Sequence, residues 1–432
     1  MVDASGNNLV FLLCTPRSGS SLATVMLQNH SRVYAAQEMW FLMSLLDLKA
    51  AQRRAYGGGA ILERFFGGVL PEDAFADACR SFAVEAYNGL LRGSDGADIV
   101  VDKSPRYYYL LEFLDALFPR SKRIWLLRNP LDVLASYKKL GASRGGAVDL
   151  AELLTGSAFD IKAADLTIGL LRYMQYFAAP DPYAYRLRYE ALVADPRGQL
   201  AGVSEFLGIK YEEGMERYGE RMGTAKSELY FSMGVGDPNV ADHAAPHTKA
   251  VGSWKETLTK KEAELYVRLL GAKTFEGLGY GEALAEAERW TGARFEREPE
   301  EALLALREKQ LTDSTGNRWE PAYAMRSGGV GEVKAADGAK DRNADRAVDR
   351  VAISAMADEA KEVRAADARV HQLQMTVRAL EMRLEAGIRE QRHLRAQLGA
   401  MKRKADWLKS AIPFGRRLSR FASAYMAGGG KK

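Results

Sequence analysis

The chain is poor in cysteine and carries no long apolar run. Of its 432 residues only Cys14 and Cys79 are cysteines, too few for a disulfide framework or a metal-ligand set. The expectation is a cytoplasmic protein without a metal. No stretch approaches the roughly 18 apolar residues of a membrane span. Met1–Asn8 is polar, and the apolar run after it is too short for the core of a secretory leader, so none is expected. The chain also lacks a G-x-x-x-x-G-K-[ST] loop after its first apolar run, which removes the main support for an ATPase or an ordinary kinase. What remains is an ordinary globular composition, 47% apolar and 27% charged. The length suffices for one large α/β domain with an appendage, or for two domains. The net charge of +5 is unevenly placed. From Arg389 to Lys432 twelve Lys/Arg face only Glu390 and Asp406, so that segment carries +10 and the rest of the chain −5. A basic tail on an acidic body gives no support for nucleic-acid binding by the body.

The most informative stretch is Leu9-Val10-Phe11-Leu12-Leu13-Cys14-Thr15-Pro16-Arg17-Ser18-Gly19-Ser20-Ser21-Leu22. Its apolar run predicts a strand buried on both faces. Pro16 to Gly19 break that strand, and Leu22, Ala23, Val25, Met26 and Leu27 suit a helix packed on the sheet. Free N–H groups at a helix start, the helix dipole and the fork of donors on Arg17 together make an anion site. The blander reading is a polar loop joining a core strand to a surface helix.

Further on, Asp98-Ile99-Val100-Val101-Asp102-Lys103-Ser104-Pro105 predicts a strand with Lys103 at its C-terminal end, where ligands bind in open parallel sheets. Lys103 as a solvated loop lysine is the alternative. Glu38 lies 21 residues past Arg17, after a short strand. It faces the same crevice if that strand returns beside the first; otherwise it is a solvated loop glutamate. Residues 42–92 read as helical, interrupted by Gly57-Gly58-Gly59 and Gly67-Gly68. In Arg123-Ile124-Trp125-Leu126-Leu127-Arg128-Asn129-Pro130-Leu131-Asp132 a second buried strand ends at Arg128, and Pro130 suits the first turn of a helix that carries Ser136. Two strand–turn–helix anion sites imply a ligand with two separated anionic groups.

Pro16-Arg17-Ser18-Gly19-Ser20-Ser21-Leu22 resembles the 5′-phosphosulfate loop of the sulfotransferase family, and Arg128-Asn129-Pro130-Leu131-Asp132 through Ser136 resembles that family's 3′-phosphate motif. The resemblance covers roughly residues 8–290. It implies a P-loop-like three-layer α/β fold with a central parallel sheet. It also implies 3′-phosphoadenosine 5′-phosphosulfate (PAPS) as sulfuryl donor, used without a metal. On this resemblance Arg17, Ser18, Gly19, Ser20 and Ser21 hold the 5′-phosphosulfate, and Arg128 and Ser136 hold the 3′-phosphate. Lys103, with Arg17, stabilises the leaving oxygen. Glu38 is placed like the carboxylate base of the protein-tyrosine and some carbohydrate enzymes, and a late histidine, His243 or His247, is the runner-up. Val251-Gly252-Ser253-Trp254-Lys255 resembles the late loop that closes over the nucleotide, which adds Lys249, Ser253 and Trp254 as candidate contacts; Trp254 equally suits a core.

The domain reading is a sulfotransferase domain over 1–295, a linker over 296–345, a candidate coiled coil over 346–405 and a basic amphipathic tail over 406–432. A 4-3 apolar register runs from Ala352 to Met401, interrupted at Glu359, Gly387 and Gln391. Phe414, Leu418, Phe421 and Tyr425 form a helical stripe beside Arg416, Arg417 and Arg420, a pattern for an anionic membrane surface. The functional expectation is sulfuryl transfer to a carbohydrate or glycolipid hydroxyl at the inner face of a membrane, with possible self-association through the coiled coil. Alternatives are a small metabolite or polyketide hydroxyl, a protein tyrosine, a kinase, and a non-catalytic scaffold acting through its coiled coil.

Overall fold

The computed structural model describes residues 1–35, 38–49, 58–94, 96–143, 148–221, 243–316, 319–320 and 322–326. The candidate coiled coil and the basic tail lie outside them. A five-stranded parallel sheet forms the centre, in the order β2-β3-β1-β4-β5. The strands are β1 (Leu9–Leu13), β2 (Val33–Ala35), β3 (Ile99–Lys103), β4 (Lys122–Leu127) and β5 (Ala184–Arg188). Each forms because a short β-branched, leucine-rich or aromatic run can bury both of its faces.

Alternation along β1 divides the core in two. Leu9, Phe11 and Leu13 join one apolar layer, while Val10, Leu12 and Cys14 join the other. The second layer is covered by α1 (Ser20–Gln28) and by the helices Tyr189–Ala194 and Pro196–Leu207, through Ala23, Val25, Met26, Leu192, Val203 and Leu207. The first is covered by the long helix Glu72–Arg92, the helices Leu111–Leu117, Pro130–Ser143 and Ile168–Tyr176, and a C-terminal group over 260–291. The result is the expected three-layer arrangement. No helix among the described residues is long and apolar enough to cross a membrane.

The strand order opens the site. β1 pairs with β3 on one side and β4 on the other, Leu12 lying opposite Lys103 and Ile124. The chain leaves β1 toward one layer through α1 and leaves β4 toward the other through the Pro130–Ser143 helix. Two helices that depart to opposite faces leave a crevice at the C-terminal ends of β1 and β4.

Two features bear on the surroundings of the crevice. The strand before Glu38 does not return beside β1: β2 pairs with β3, Val33 opposite Ile99. Within the segment read as a linker, 296–345, the described residues include a helix and further contacts. Glu301–Thr315 is a helix whose Arg307 donates to the carbonyls of Leu154 and Gly156, and beyond it the Tyr323 hydroxyl donates to the buried Asp115 at 2.8 Å. Polar side chains make these contacts, so no apolar period marks them in the sequence.

Candidate active site

The turn after β1 is set by two residues with positive φ. Arg17 sits at φ 71° and Gly19 at φ 92°. At Gly19 the need is also steric, because a Cβ there would overlap the ring of Tyr189. Thr15 Oγ1 and Ser18 Oγ lie 3.2 Å apart and brace the turn from beneath. No side chain caps α1 at Gly19, and its first residues, Ser20, Ser21 and Leu22, line a cavity of about 470 Å³. The positive end of the helix dipole therefore faces that cavity.

The second turn supplies the opposite wall. Asn129 Oδ1 accepts from the Leu131 N–H at 3.1 Å, and Pro130 opens the helix that bears Asp132 and Ser136. Arg128, buried at the end of β4, donates from Nη1 to the Arg17 carbonyl and from Nη2 to the Ala250 carbonyl, both at 2.9 Å. Its guanidinium lies 4.4 Å from the centroid of the Tyr189 ring, and its Nε is buried with no hydrogen-bond partner among the described residues. Arg17 Nε donates to Ser136 Oγ at 3.0 Å. The two arginine motifs, distant in sequence, thus interlock across the crevice.

Asp132 ties a third segment to them. Its Oδ2 accepts from the Gly252 N–H at 2.8 Å and its Oδ1 from the Trp254 N–H at 3.1 Å. Burial pushes its carboxyl upward, while those amides and Arg128 oppose the shift. Sequence reasoning quoted Asp132 within its motif but gave it no role. It also missed Lys139 and Tyr189, which line the cavity. The signal for Tyr189 was its place directly after a strand, at the ligand-binding end of the sheet.

His243 and His247 also line this cavity, their rings 4.4 Å apart and nearly perpendicular. His247 Nδ1 is buried without a partner among the described residues, and burial, then His243, then Lys249 lower its pKa. The structure separates the remaining late-loop candidates. Ser253 lines the cavity, whereas Lys249 is exposed away from it. Trp254 is 1% exposed and packs edge-on against Trp290 at 5.3 Å, so its ring is core and not cavity wall.

Glu38 and Lys103 meet at the neighbouring strand end and do not line that cavity. Lys103 is fully buried and donates from Nζ to Glu38 Oε1 at 3.2 Å. Glu38 Oε2 accepts from the Trp40 indole N–H at 2.7 Å. Because β3 lies between β2 and β1, Glu38 reaches the end of β3 although its strand does not touch β1. Cys14, buried beside this pair, has its thiol pushed up to about 12 by burial, against the pull of Lys103, so it is no nucleophile. Two more buried carboxylates brace the region. Asp102 accepts from Tyr87, Tyr107 and Ser104, and Asp165 from Arg106, Tyr108 and Tyr137. Burial raises both pKa values, and the donors oppose it.

The site thus brings together two cationic turns, an open helix N-terminus and, at the adjacent strand end, a buried lysine–glutamate pair. Such an array can hold two anionic groups.

Residues 10–213 match the model of the sulfotransferase family. Nodulation protein NoeE of Sinorhizobium fredii (strain NBRC 101917 / NGR234) is 28% identical over 290 residues, 65% of this chain and 67% of that protein. A putative protein-tyrosine sulfotransferase of Caenorhabditis briggsae is 22% identical over 276 residues, 62% of this chain and 89% of that protein. Heparan sulfate glucosamine 3-O-sulfotransferase 6 of Mus musculus is 26% identical over 151 residues, 32% of this chain and 44% of that protein. The segment with the matching sequence is the one that forms the parallel sheet and carries both arginine turns, and it belongs to the sulfotransferase family.

Proposed function

We propose that the chain moves a sulfuryl group from PAPS to an acceptor hydroxyl. The carrying observation is the interlock of Arg128 with the Arg17 carbonyl and of Arg17 with Ser136 across one crevice. That arrangement fits a ligand with two anionic groups, and the buried Arg128 Nε, without a partner among the described residues, is a donor suited to it. Arg17 and the backbone of Ser18 to Ser21 hold the 5′ end; Arg128 and Ser136 hold the 3′-phosphate.

The donor supplies an activated sulfuryl group: a bond from sulfur to the acceptor oxygen forms as the bond from sulfur to the 5′-phosphate oxygen breaks, and the nucleotide leaves with that electron pair. Positioning and charge neutralisation are the protein's part in such an in-line transfer. Lys103 neutralises charge on the leaving oxygen. Glu38 takes the acceptor proton; its place beside Lys103 favours it over His243, which stands on the wall shared with the α1 N-terminus.

The acceptor in this reading is a carbohydrate hydroxyl, in line with the relative named for glucosamine 3-O-sulfation. The basic stripe over Phe414–Tyr425, outside the described residues, suits work at an anionic membrane. A protein tyrosine is the second reading, favoured by the name of the Caenorhabditis relative. The test is transfer from ³⁵S-labelled PAPS to p-nitrophenyl glycosides, a tyrosine peptide and simple alcohols side by side. Label on a glycoside supports the carbohydrate reading; label on the peptide alone replaces it. Co-sedimentation with phosphatidylserine vesicles, with and without residues 389–432, tests the membrane role, and equal binding of both proteins contradicts it.

A further inference from the structure

Trp40 is an unusual residue for its place. It stands at φ 60°, ψ −10°, a left-handed conformation that costs little for glycine or asparagine and is unfavourable for a bulky side chain. Its carbonyl accepts from the Met43 N–H at the start of the Phe41–Leu46 helix, and its own N–H donates to Ser104 Oγ at 3.4 Å. Ser104 in turn donates to the buried Asp102 at 3.1 Å, so the Trp40 backbone is anchored to the end of β3. The Arg106 guanidinium lies 5.8 Å from the ring centroid. The indole N–H donates to Glu38 Oε2 at 2.7 Å. Glycine or asparagine would serve the turn with less strain, yet neither carries an indole donor. The tryptophan therefore answers a need other than the turn.

That need is the orientation of Glu38. With Oε2 pinned by Trp40, Oε1 is the oxygen that faces Lys103 at 3.2 Å. When Lys103 turns to the leaving oxygen, Oε1 is released to the acceptor proton while the carboxylate stays held at its other oxygen. We infer that Trp40 is the positioning residue for Glu38, fixing its carboxylate by one indole hydrogen bond so that a single oxygen is presented to the acceptor. The inference rests on Glu38 as the general base.

The test compares the full chain with its Trp40→Phe, Glu38→Gln and double variants. It reads single-turnover release of 3′-phosphoadenosine 5′-phosphate (PAP) from labelled PAPS with a p-nitrophenyl glycoside as acceptor, water standing in where no glycoside is sulfated. Trp40→Phe keeps an aromatic ring and removes the donor. The expected result is a turnover roughly 10- to 100-fold lower with PAP affinity within about twofold of the parent, and no further loss when Trp40→Phe is added to Glu38→Gln. Radiolabel resolves rates slowed by the ~10⁴ at stake in removing a general base. If Trp40→Phe fails to fold, 3-benzothienylalanine at position 40 replaces the N–H by sulfur at nearly the same shape. Normal turnover of the Trp40 variant beside an inactive Glu38→Gln overturns this inference and leaves Glu38 as base. Full activity of Glu38→Gln overturns the reading beneath it. An equal loss from Trp40→Phe in both backgrounds makes Trp40 structural only and overturns the positioning role.

Discussion

Arg128 donates to the backbone carbonyl of Arg17 at 2.9 Å, across 111 positions of sequence. One arginine therefore fixes the turn that carries the other. The bond explains how a non-glycine residue is held at φ 71° beside an open helix N-terminus, and it makes the two anion sites a single unit.

The unit depends on close approach at Gly19. Gly19→Ala adds a Cβ into the Tyr189 ring at a φ of 92°. We expect a loss of about 1–3 kcal/mol in stability from strain and overpacking. PAP binding should fall with it, because the start of α1 must shift. Thermal unfolding and calorimetry check both effects, and Gly19→Ala/Tyr189→Ala should recover part of the stability.

Asp132 predicts a coupling between the late loop and the nucleotide. Asp132→Asn replaces an acceptor of two backbone N–H groups with an amide that also presents donors to them. An unsatisfied amide costs about 1–3 kcal/mol. PAP affinity should drop roughly tenfold or more, and hydrogen exchange at Gly252 and Trp254 should quicken while exchange in β1 stays slow.

His247 predicts a proton linkage. Burial, His243 and Lys249 disfavour its charged form in the free protein, so the ring binds a proton less readily than an ordinary imidazole. A phosphate in the same cavity favours the charged form. Nucleotide binding should therefore take up protons, with affinity rising as pH falls below neutrality. Calorimetry in buffers of different ionisation enthalpy measures the uptake, and His247→Gln should remove it.

Much of this arrangement was legible in the sequence, for reasons particular to each element. β1 and β4 announce themselves as apolar runs cut off by Pro16 and Pro130, and the ligand-binding end of a parallel sheet follows from that pattern. The pairing of Glu38 with Lys103 was not legible, because it depends on β2 lying next to β3, and strand order is a property of the assembled sheet. Trp254 was ambiguous because its neighbour Trp290 lies 36 residues away in a different helix. The helix Glu301–Thr315 was missed because Arg307 and Gln310 bury polar groups where a periodic pattern looks for apolar ones.

The central claim is that the interlocked arginines read a nucleotide with both a 5′ and a 3′ anionic group. The direct measurement is calorimetric titration with PAP, with ATP and AMP as controls, on the parent chain and on Arg128→Ala. Charge-assisted hydrogen bonds of about 1.5–3 kcal/mol predict PAP binding that ATP and AMP do not match and that weakens roughly 10- to 150-fold in the variant. Equal binding of PAP and ATP, or PAP binding indifferent to the loss of Arg128, would contradict the account.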